Sequence, residues 1–197
     1  MKPLPFPFIV LASGSPRRRE LLEQMGVPYK VVVTEIDESP LPGEAPAALA
    51  QRLARAKALA GRTHTATRPV LGSDTVVVVD ERIFGKPRDR DDALAMLAAL
   101  SGRGHRVLTA VAVAAPGNGQ VLEALSETFV QMRVITPDEA AAYWDSGEPA
   151  GKAGAYAIQG RGAMFIQHIH GSYSGVMGLP LYETAQLLQS LPGGTTR

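Results

Sequence analysis

The sequence predicts an α/β fold, a mixed sheet flanked by helices, on three observations. Short β-rich runs alternate with segments of helical periodicity along the chain. The joints between them carry turn and cap residues where an α/β chain needs them, such as Asp80-Glu81, Pro116-Gly117-Asn118-Gly119 and Thr136-Pro137-Asp138-Glu139. The 197 residues are 45% apolar and 20% charged, enough to bury a core in one large domain or two packed lobes.

Each element has a local reason. Phe8–Ala12 is an apolar strand that runs into the small-residue turn Ser13-Gly14-Ser15. Ser15 is placed to cap a helix over Arg17–Met25, Pro16 suits its first position because its missing N–H had no partner there, and Gly26 closes it. Tyr29–Val33 is the next strand. Ala47–Ala60 is a second helix with Leu49, Leu53, Ala56 and Ala60 on one face and Gly61 as its stop. Val70-Leu71 enters a turn at Gly72-Ser73-Asp74, Val76–Val79 is a buried strand, and Asp80-Glu81 turns tightly back to Ile83-Phe84.

Asp89–Leu100 is a third helix, ended by Ser101-Gly102. Arg106–Ala114 and Val121–Met132 are long strands joined by the hairpin signal Pro116–Gly119. Thr136–Glu139 is a capping box that opens a helix running to Ser146, with Gly147 as its stop. The Gly-rich, polar stretch from Glu148 to Ala163 reads as a loop over a ligand. Met164–Ile169 is a strand, Gly171–Gly178 is irregular, and Pro180–Leu191 is the last helix. With no internal repeat and no flexible linker, residues 1–197 read as a single domain whose two lobes share one sheet, with a cleft between them.

Composition excludes several function classes. A net charge of +1 argues against nucleic-acid binding through a global positive field. Zero cysteines exclude disulfides, thiolate metal sites and a cysteine nucleophile. No stretch approaches the roughly 20 apolar residues of a membrane helix. The start, Lys2 to Val10, is broken by three prolines and is no signal peptide, so a cytoplasmic protein with no membrane or nucleic-acid partner is expected. The P-loop, the dinucleotide-binding glycine fingerprint and the Gly-x-Ser-x-Gly elbow are all missing.

The chemistry-bearing residues sit at element ends. Ser13, Arg17, Arg18 and Arg19 surround a helix start, whose unpaired N–H groups favour anions, and Arg offers phosphate two parallel hydrogen bonds. Glu35, Asp37 and Glu38 form an acidic group that reads either as a solvated loop or as part of a divalent metal site. Lys57 falls near the apolar face of its helix, where it either snorkels or reaches into a cleft. Asp74 reads as an Asx-turn residue or as a carboxylate held rigidly before four valines, and Lys86 is pinned between Gly85 and Pro87. His168 and His170 share a strand face but have no evident third metal ligand.

Taken in order, Leu11–Arg18, Ile36-Asp37-Glu38, Leu53–Lys57, Gly72–Val77, Gly85-Lys86-Pro87, Leu100-Ser101-Gly102, Gly151–Gly160, Gly171–Ser174 and Val176–Leu181 resemble the Maf family of nucleotide pyrophosphatases from about Ile9 to Leu191. The segment Lys152-Ala153-Gly154-Ala155-Tyr156-Ala157-Ile158-Gln159-Gly160 resembles the branch that hydrolyses dTTP and UTP. The resemblance implies an elongated, two-lobed fold related to the inosine-triphosphate pyrophosphatases, often dimeric. It also implies cation-dependent hydrolysis of a nucleoside triphosphate to monophosphate and diphosphate, and a link to septum formation. By the same resemblance Asp74 is the proton acceptor. Ser13, Arg18, Glu38, Lys57 and Lys86 line the catalytic cleft, and Arg17, Thr75 and Gln159 set base specificity.

The chemistry of these groups suits that expectation. Arg18, Lys57 and Lys86 answer the triphosphate charge, with Ser13 and Arg18 on phosphate. Glu38 and Asp74 are the expected ligands of Mg²⁺, Mn²⁺ or Co²⁺. An amide donates and accepts at once, so Gln159 pairs with O4 and N3–H of uracil or thymine. A homodimer is expected. CTP and modified pyrimidine nucleotides stand as further substrates. The competing readings are a modified-guanine pyrophosphatase and a nucleotide-binding division regulator that does not hydrolyse.

Overall fold

A computed structural model describes residues 6–117 and 119–191. The proline-rich start before Phe6, and Asn118 of the expected Pro116–Gly119 turn, lie outside the described residues. In order the elements are β1 (Ile9–Leu11), α1 (Pro16–Gln24), β2 (Tyr29–Val31), α2 (Pro46–Arg62), β3 (Val70–Val79), β4 (Arg82–Phe84), α3 (Arg90–Leu100), β5 (Gly104–Ala114), β6 (Val121–Met132), α4 (Pro137–Asp145), β7 (Ile166–His170), α5 (Tyr173–Met177) and α6 (Leu181–Gln189). Two 3-10 turns, Ala153–Ala155 and Arg161–Phe165, lie between α4 and β7.

The strands form one mixed sheet in the order β2-β1-β3-β5-β6-β7, with β4 turned back onto β3. β1 is parallel to both neighbours, Val10 facing Lys30 on one side and Val70 on the other. β4 and β7 are antiparallel to β3 and β6, with a bulge between Gln131 and Met132. This is the expected α/β class. Among the described residues no helix is long and apolar enough to cross a membrane.

The fold divides into two compact units. The first holds the described residues up to Asp74, those of Thr109–Ser126, and those from Gly178 onward. Its core is built on Ile9, Leu11, Leu21, Leu22, Val70, Leu71, Leu179 and Leu188. Two sequence readings are corrected here. Gly61 does not stop α2 but lies within it, because a Cβ there would sit 2.7 Å from Val70 Cγ1 and 2.9 Å from the Ala12 methyl. Helix α2 therefore buries Leu49, Ala50, Leu53, Ala54, Lys57 and Ala58, and Ala56 and Ala60 are only half-buried.

Gly72-Ser73-Asp74 is likewise no turn but the middle of the ten-residue strand β3. A Cβ at Gly72 would overlap the Ala54 carbonyl oxygen and stand 2.5 Å from the Ala58 nitrogen. The glycine is there for close helix–strand packing, a tertiary requirement that turn chemistry imitates. Ser15 occupies the N-cap position of α1 with Pro16 behind it, but its side chain makes no capping bond; its N–H donates to Ser13 Oγ instead (3.2 Å).

The second unit comprises Thr75–Leu108 and Glu127–Met177. Val77, Leu97, Leu100, Val130, Met132, Tyr143, Tyr156 and Phe165 belong to its core. Local signals are obeyed: Asp80 and Glu81 both take positive φ (46° and 62°) in the tight hairpin. Asp89 caps α3, and Thr136 and Glu139 form the reciprocal capping box of α4. The polar loop expected from Glu148 to Ala163 is corrected. Its middle, Gly154 to Ile158, is buried, because Gly154 (φ 68°) packs on Val77 and Tyr156 joins the core. The stretch Gly171–Gly178 is also not wholly irregular, since α5 forms within it.

Candidate functional site

Alternation along β3 sorts the residues around Asp74. Side chains on a strand alternate between faces, so Gly72 and Asp74 point toward α2 while Ser73 and Thr75 point to the other face. Because Gly72 lets α2 lie directly on the strand, Lys57 reaches Asp74, and its ammonium is 2.6 Å from Asp74 Oδ1. Lys57 and Asp74 are each only 8% exposed. The same ammonium is 2.7 Å from Glu38 Oε1, whose side chain is 49% exposed. Two carboxylates from distant segments thus converge on one cation. The snorkelling alternative for Lys57 is ruled out by this burial.

The loop that carries Glu38 is anchored to α2 by a residue that no local signal singles out. Arg52 binds Glu44 through both oxygens (2.6 and 2.8 Å) and donates to the Ser39 carbonyl (2.9 Å). The Arg52 hydrogen bonds to Glu44, and then the Leu41 N–H (3.0 Å), pull the Glu44 pKa down to about 2. An eight-residue separation between loop and helix carries no periodic signal. Nearby, Asp37 accepts the Ser39 N–H (2.9 Å), so it is a turn former.

Arg18 is held from two sides. Its Nε donates to the Gly178 carbonyl (2.9 Å) and its Nη1 to Ser13 Oγ (3.0 Å). Desolvation lowers its pKa, opposed by the charge of Asp74, helped by that of Arg17, and opposed again by Glu38. A guanidinium stays charged throughout. Ser73, fully buried, also donates to the Gly178 carbonyl (3.1 Å) and to that of Ala110 (2.8 Å). Gly178 is thus the fixed point behind Arg18. Neither Ser73 nor Gly178 is a candidate on sequence grounds, since a backbone acceptor leaves no residue-type signature.

The first unit therefore brings together Ser13, Arg18, Glu38, Lys57 and Asp74, with half-buried Arg17 following Pro16 at the start of α1. The second unit contains Thr75, Lys86 and Gln159. Lys86 and Gln159 are exposed, and Thr75 is half-buried. Within that unit the Gly154 N–H donates to the Gly85 carbonyl (3.1 Å), tying the backbone beside Lys86 to the segment that leads to Gln159. Among the described residues no group of three or more His, Cys, Asp or Glu side chains is arranged to hold a metal, so no third ligand joins His168 and His170.

A cradle of Ser, Arg and a helix start, beside a buried Lys between two carboxylates, can bind a phosphorylated molecule and accept a proton next to it. Comparison with known proteins agrees with this chemistry. The family described as Maf-like protein matches residues 8–191. A Saccharophagus degradans protein named dTTP/UTP pyrophosphatase is 52% identical over 186 residues, covering 92% of this chain and 88% of its own. Proteins of the same name from Pseudoalteromonas translucida and Burkholderia pseudomallei are 51% and 50% identical. They cover 94% of this chain, and 98% and 94% of their own.

Proposed function

The chain belongs to the Maf-like family, and from that premise we propose that it hydrolyses pyrimidine nucleoside triphosphates, dTTP and UTP foremost, to monophosphate and diphosphate. The observation that carries the proposal is the Asp74–Lys57–Glu38 cluster (2.6 and 2.7 Å) in the same unit as the Ser13–Arg18 pair. Relatives at about half identity that bear the name dTTP/UTP pyrophosphatase support the substrate class.

In this reading Ser13, Arg18 and the first N–H groups of α1 bind phosphate oxygens. Asp74 accepts the proton of the water that attacks the α-phosphorus; the α–β phosphoanhydride bond breaks and diphosphate leaves. Lys57 holds the Asp74 carboxylate in place and shields its charge from the incoming triphosphate. Lys86 adds positive charge for the leaving diphosphate. Gln159 reads O4 and N3–H of the base, and Arg17 and Thr75 complete base selection.

Two carboxylates that already converge on one cationic point are a donor set that fits a hard divalent cation, with water and phosphate oxygens completing its shell. Glu38 and Asp74 are the residues that would hold it. Such an ion, Mg²⁺, Mn²⁺ or Co²⁺, would neutralise triphosphate charge and polarise a phosphoryl oxygen. The test is to incubate the purified protein with Mg²⁺ and each common and modified nucleoside triphosphate, then separate the products. Monophosphate plus diphosphate from dTTP and UTP, with purines spared, is the expected result. Nucleotide binding without hydrolysis under Mg²⁺, Mn²⁺ and Co²⁺ would overturn it.

A further inference from the structure

The segment around Gln159 is held by one carboxylate and one phenol that the proposed reaction does not use. Glu148 follows Gly147, which ends α4 with φ 75°. Its backbone N–H donates to Ser146 Oγ (3.3 Å), fixing where its side chain starts. Its Oε2 accepts the Arg161 N–H (2.9 Å). Its Oε1 accepts both the Gly162 N–H (3.0 Å) and the Tyr143 hydroxyl (2.7 Å). The Tyr143 oxygen in turn accepts the Ala157 N–H (3.1 Å). Three backbone amides, two residues before Gln159 and two and three after it, are thereby fixed to one pair, the buried Tyr143 and the half-buried Glu148.

The chain wraps this pair so closely that side chains have no room. A Cβ at Gly160 would stand 2.5 Å from Glu148 Cδ and Oε1, and one at Gly162 would stand 2.6 Å from Tyr143 Oη. The glycines on either side of Arg161 exist to let backbone close on the carboxylate. Burial opposes the charge on Glu148, but the bonds from Tyr143, Gly162 and Arg161 outweigh it and hold its pKa below the ordinary value. At neutral pH both oxygens therefore act as acceptors. Gln159 itself stays exposed at the crest of the wrapped segment.

We infer that Glu148, together with Tyr143, is the positioning residue for Gln159 and so sets pyrimidine selectivity without touching the nucleotide. The inference rests on the reading of Gln159 as the amide that meets the base. An exposed side chain discriminates between bases only if the backbone beneath it is held still, since a shift of about 1 Å is enough to lose a catalytic or recognition geometry. Glu148→Gln puts an NH₂ donor where one of the two backbone N–H groups needs an acceptor, and so releases one side of the loop.

The experiment measures kcat and KM of the full chain with Mg²⁺ on UTP and on GTP, for the wild type and for Glu148→Gln, Gln159→Ala and the double variant. The expected result is a fall of about tenfold in the UTP-over-GTP ratio of kcat/KM for Glu148→Gln, carried mostly by KM for UTP. In the Gln159→Ala background the same change should add little, because the two act as a unit. If Gln159→Ala leaves the ratio unchanged, the base-reading role of Gln159 falls and the inference falls with it. If Gln159→Ala collapses the ratio but Glu148→Gln does not, the positioning role alone is overturned. Should Glu148→Gln fail to fold, Tyr143→Phe tests the same link by removing the Ala157 acceptor. Hydrogen exchange on the wild type must show Ala157, Arg161 and Gly162 amides protected, and fast exchange at all three would refute the inference.

Discussion

Lys57 Nζ lies 2.6 Å from Asp74 Oδ1, and the two charges are buried together on facing elements, α2 and β3. The arrangement is asymmetric, because Lys57 has a second carboxylate in Glu38 at 2.7 Å. Removing the charge of Asp74 therefore leaves Lys57 paired. Asp74→Asn should lower kcat by about a thousandfold or more, as loss of a general base does, while circular dichroism and the melting temperature change little. Near-normal turnover in this variant would sink the role assigned to Asp74.

The reverse substitution is the costly one. Lys57→Met leaves two carboxylates facing each other without their cation, one of them buried. Breaking a buried pair from one side costs several kcal/mol, and the exposure of Glu38 tempers that here. A loss of about 3 kcal/mol is expected in denaturant unfolding at neutral pH, and adding Asp74→Asn to Lys57→Met should recover part of it. Equal stability of Lys57→Met and the wild type would show that the pair carries no folding role.

Gly72 is what brings α2 near enough for that pair to exist. An alanine methyl at position 72 meets backbone atoms of Ala54 and Ala58, which cannot rotate aside as a side chain tip does. Overpacking of this kind costs about 1–3 kcal/mol, or roughly 2–12 °C in melting temperature for a chain of this size. Gly72→Ala should also weaken turnover by separating Lys57 from Asp74. Thermal unfolding and kcat measured on the same preparation check both.

Gln159→Glu replaces an amide that both donates and accepts with a group that only accepts. The N3–H of uracil keeps its partner, but O4 then faces a negative oxygen. A fall of about tenfold or more in kcat/KM for UTP and dTTP is expected, with purine nucleotides little affected. Steady-state kinetics on UTP, dTTP, ATP and GTP decides it, and an unchanged UTP value removes the base-reading argument.

His105 should make the second unit acid-sensitive. It is 2% exposed, shares a 2.8 Å hydrogen bond with the Tyr156 hydroxyl, and its Nδ1 has no partner among the described residues. Burial lowers its pKa from 6.5 to about 4. Between those values the unfolded chain binds a proton that the native state refuses. Stability is then complete above about pH 6.5 and declines as pH falls toward 4, by up to roughly 3 kcal/mol. His105→Gln, which cannot titrate, should show a flatter stability profile across that window, and a profile parallel to the wild type would contradict the assignment.

Much of this protein is legible from its sequence because the relevant signals are local. The Asp80-Glu81 hairpin, the Thr136 capping box and the strands Arg106–Ala114 and Val121–Met132 are written in adjacent residues, and the structure contains each with small shifts at the ends. The types of the candidate residues, Ser13 and Arg18 at a helix start and Asp74 before its valines, are local in the same way.

What only the tertiary structure decided is where small and polar residues are used against distant partners. Gly61 and Gly72 look like punctuation in one dimension and are contact points between α2 and the sheet in three. The Gly-rich run before Ile158 looks solvated, yet its middle is buried, because Gly154 packs on Val77 some 77 positions earlier in the chain. Lys57 becomes a partner of Asp74 and Glu38, and Glu148 of Arg161 and Gly162, only once helices and strands are placed. Turn and cap preferences arise within a few neighbouring residues and can be read from them, whereas close packing and buried charge pairing depend on surfaces that meet only after the chain has folded.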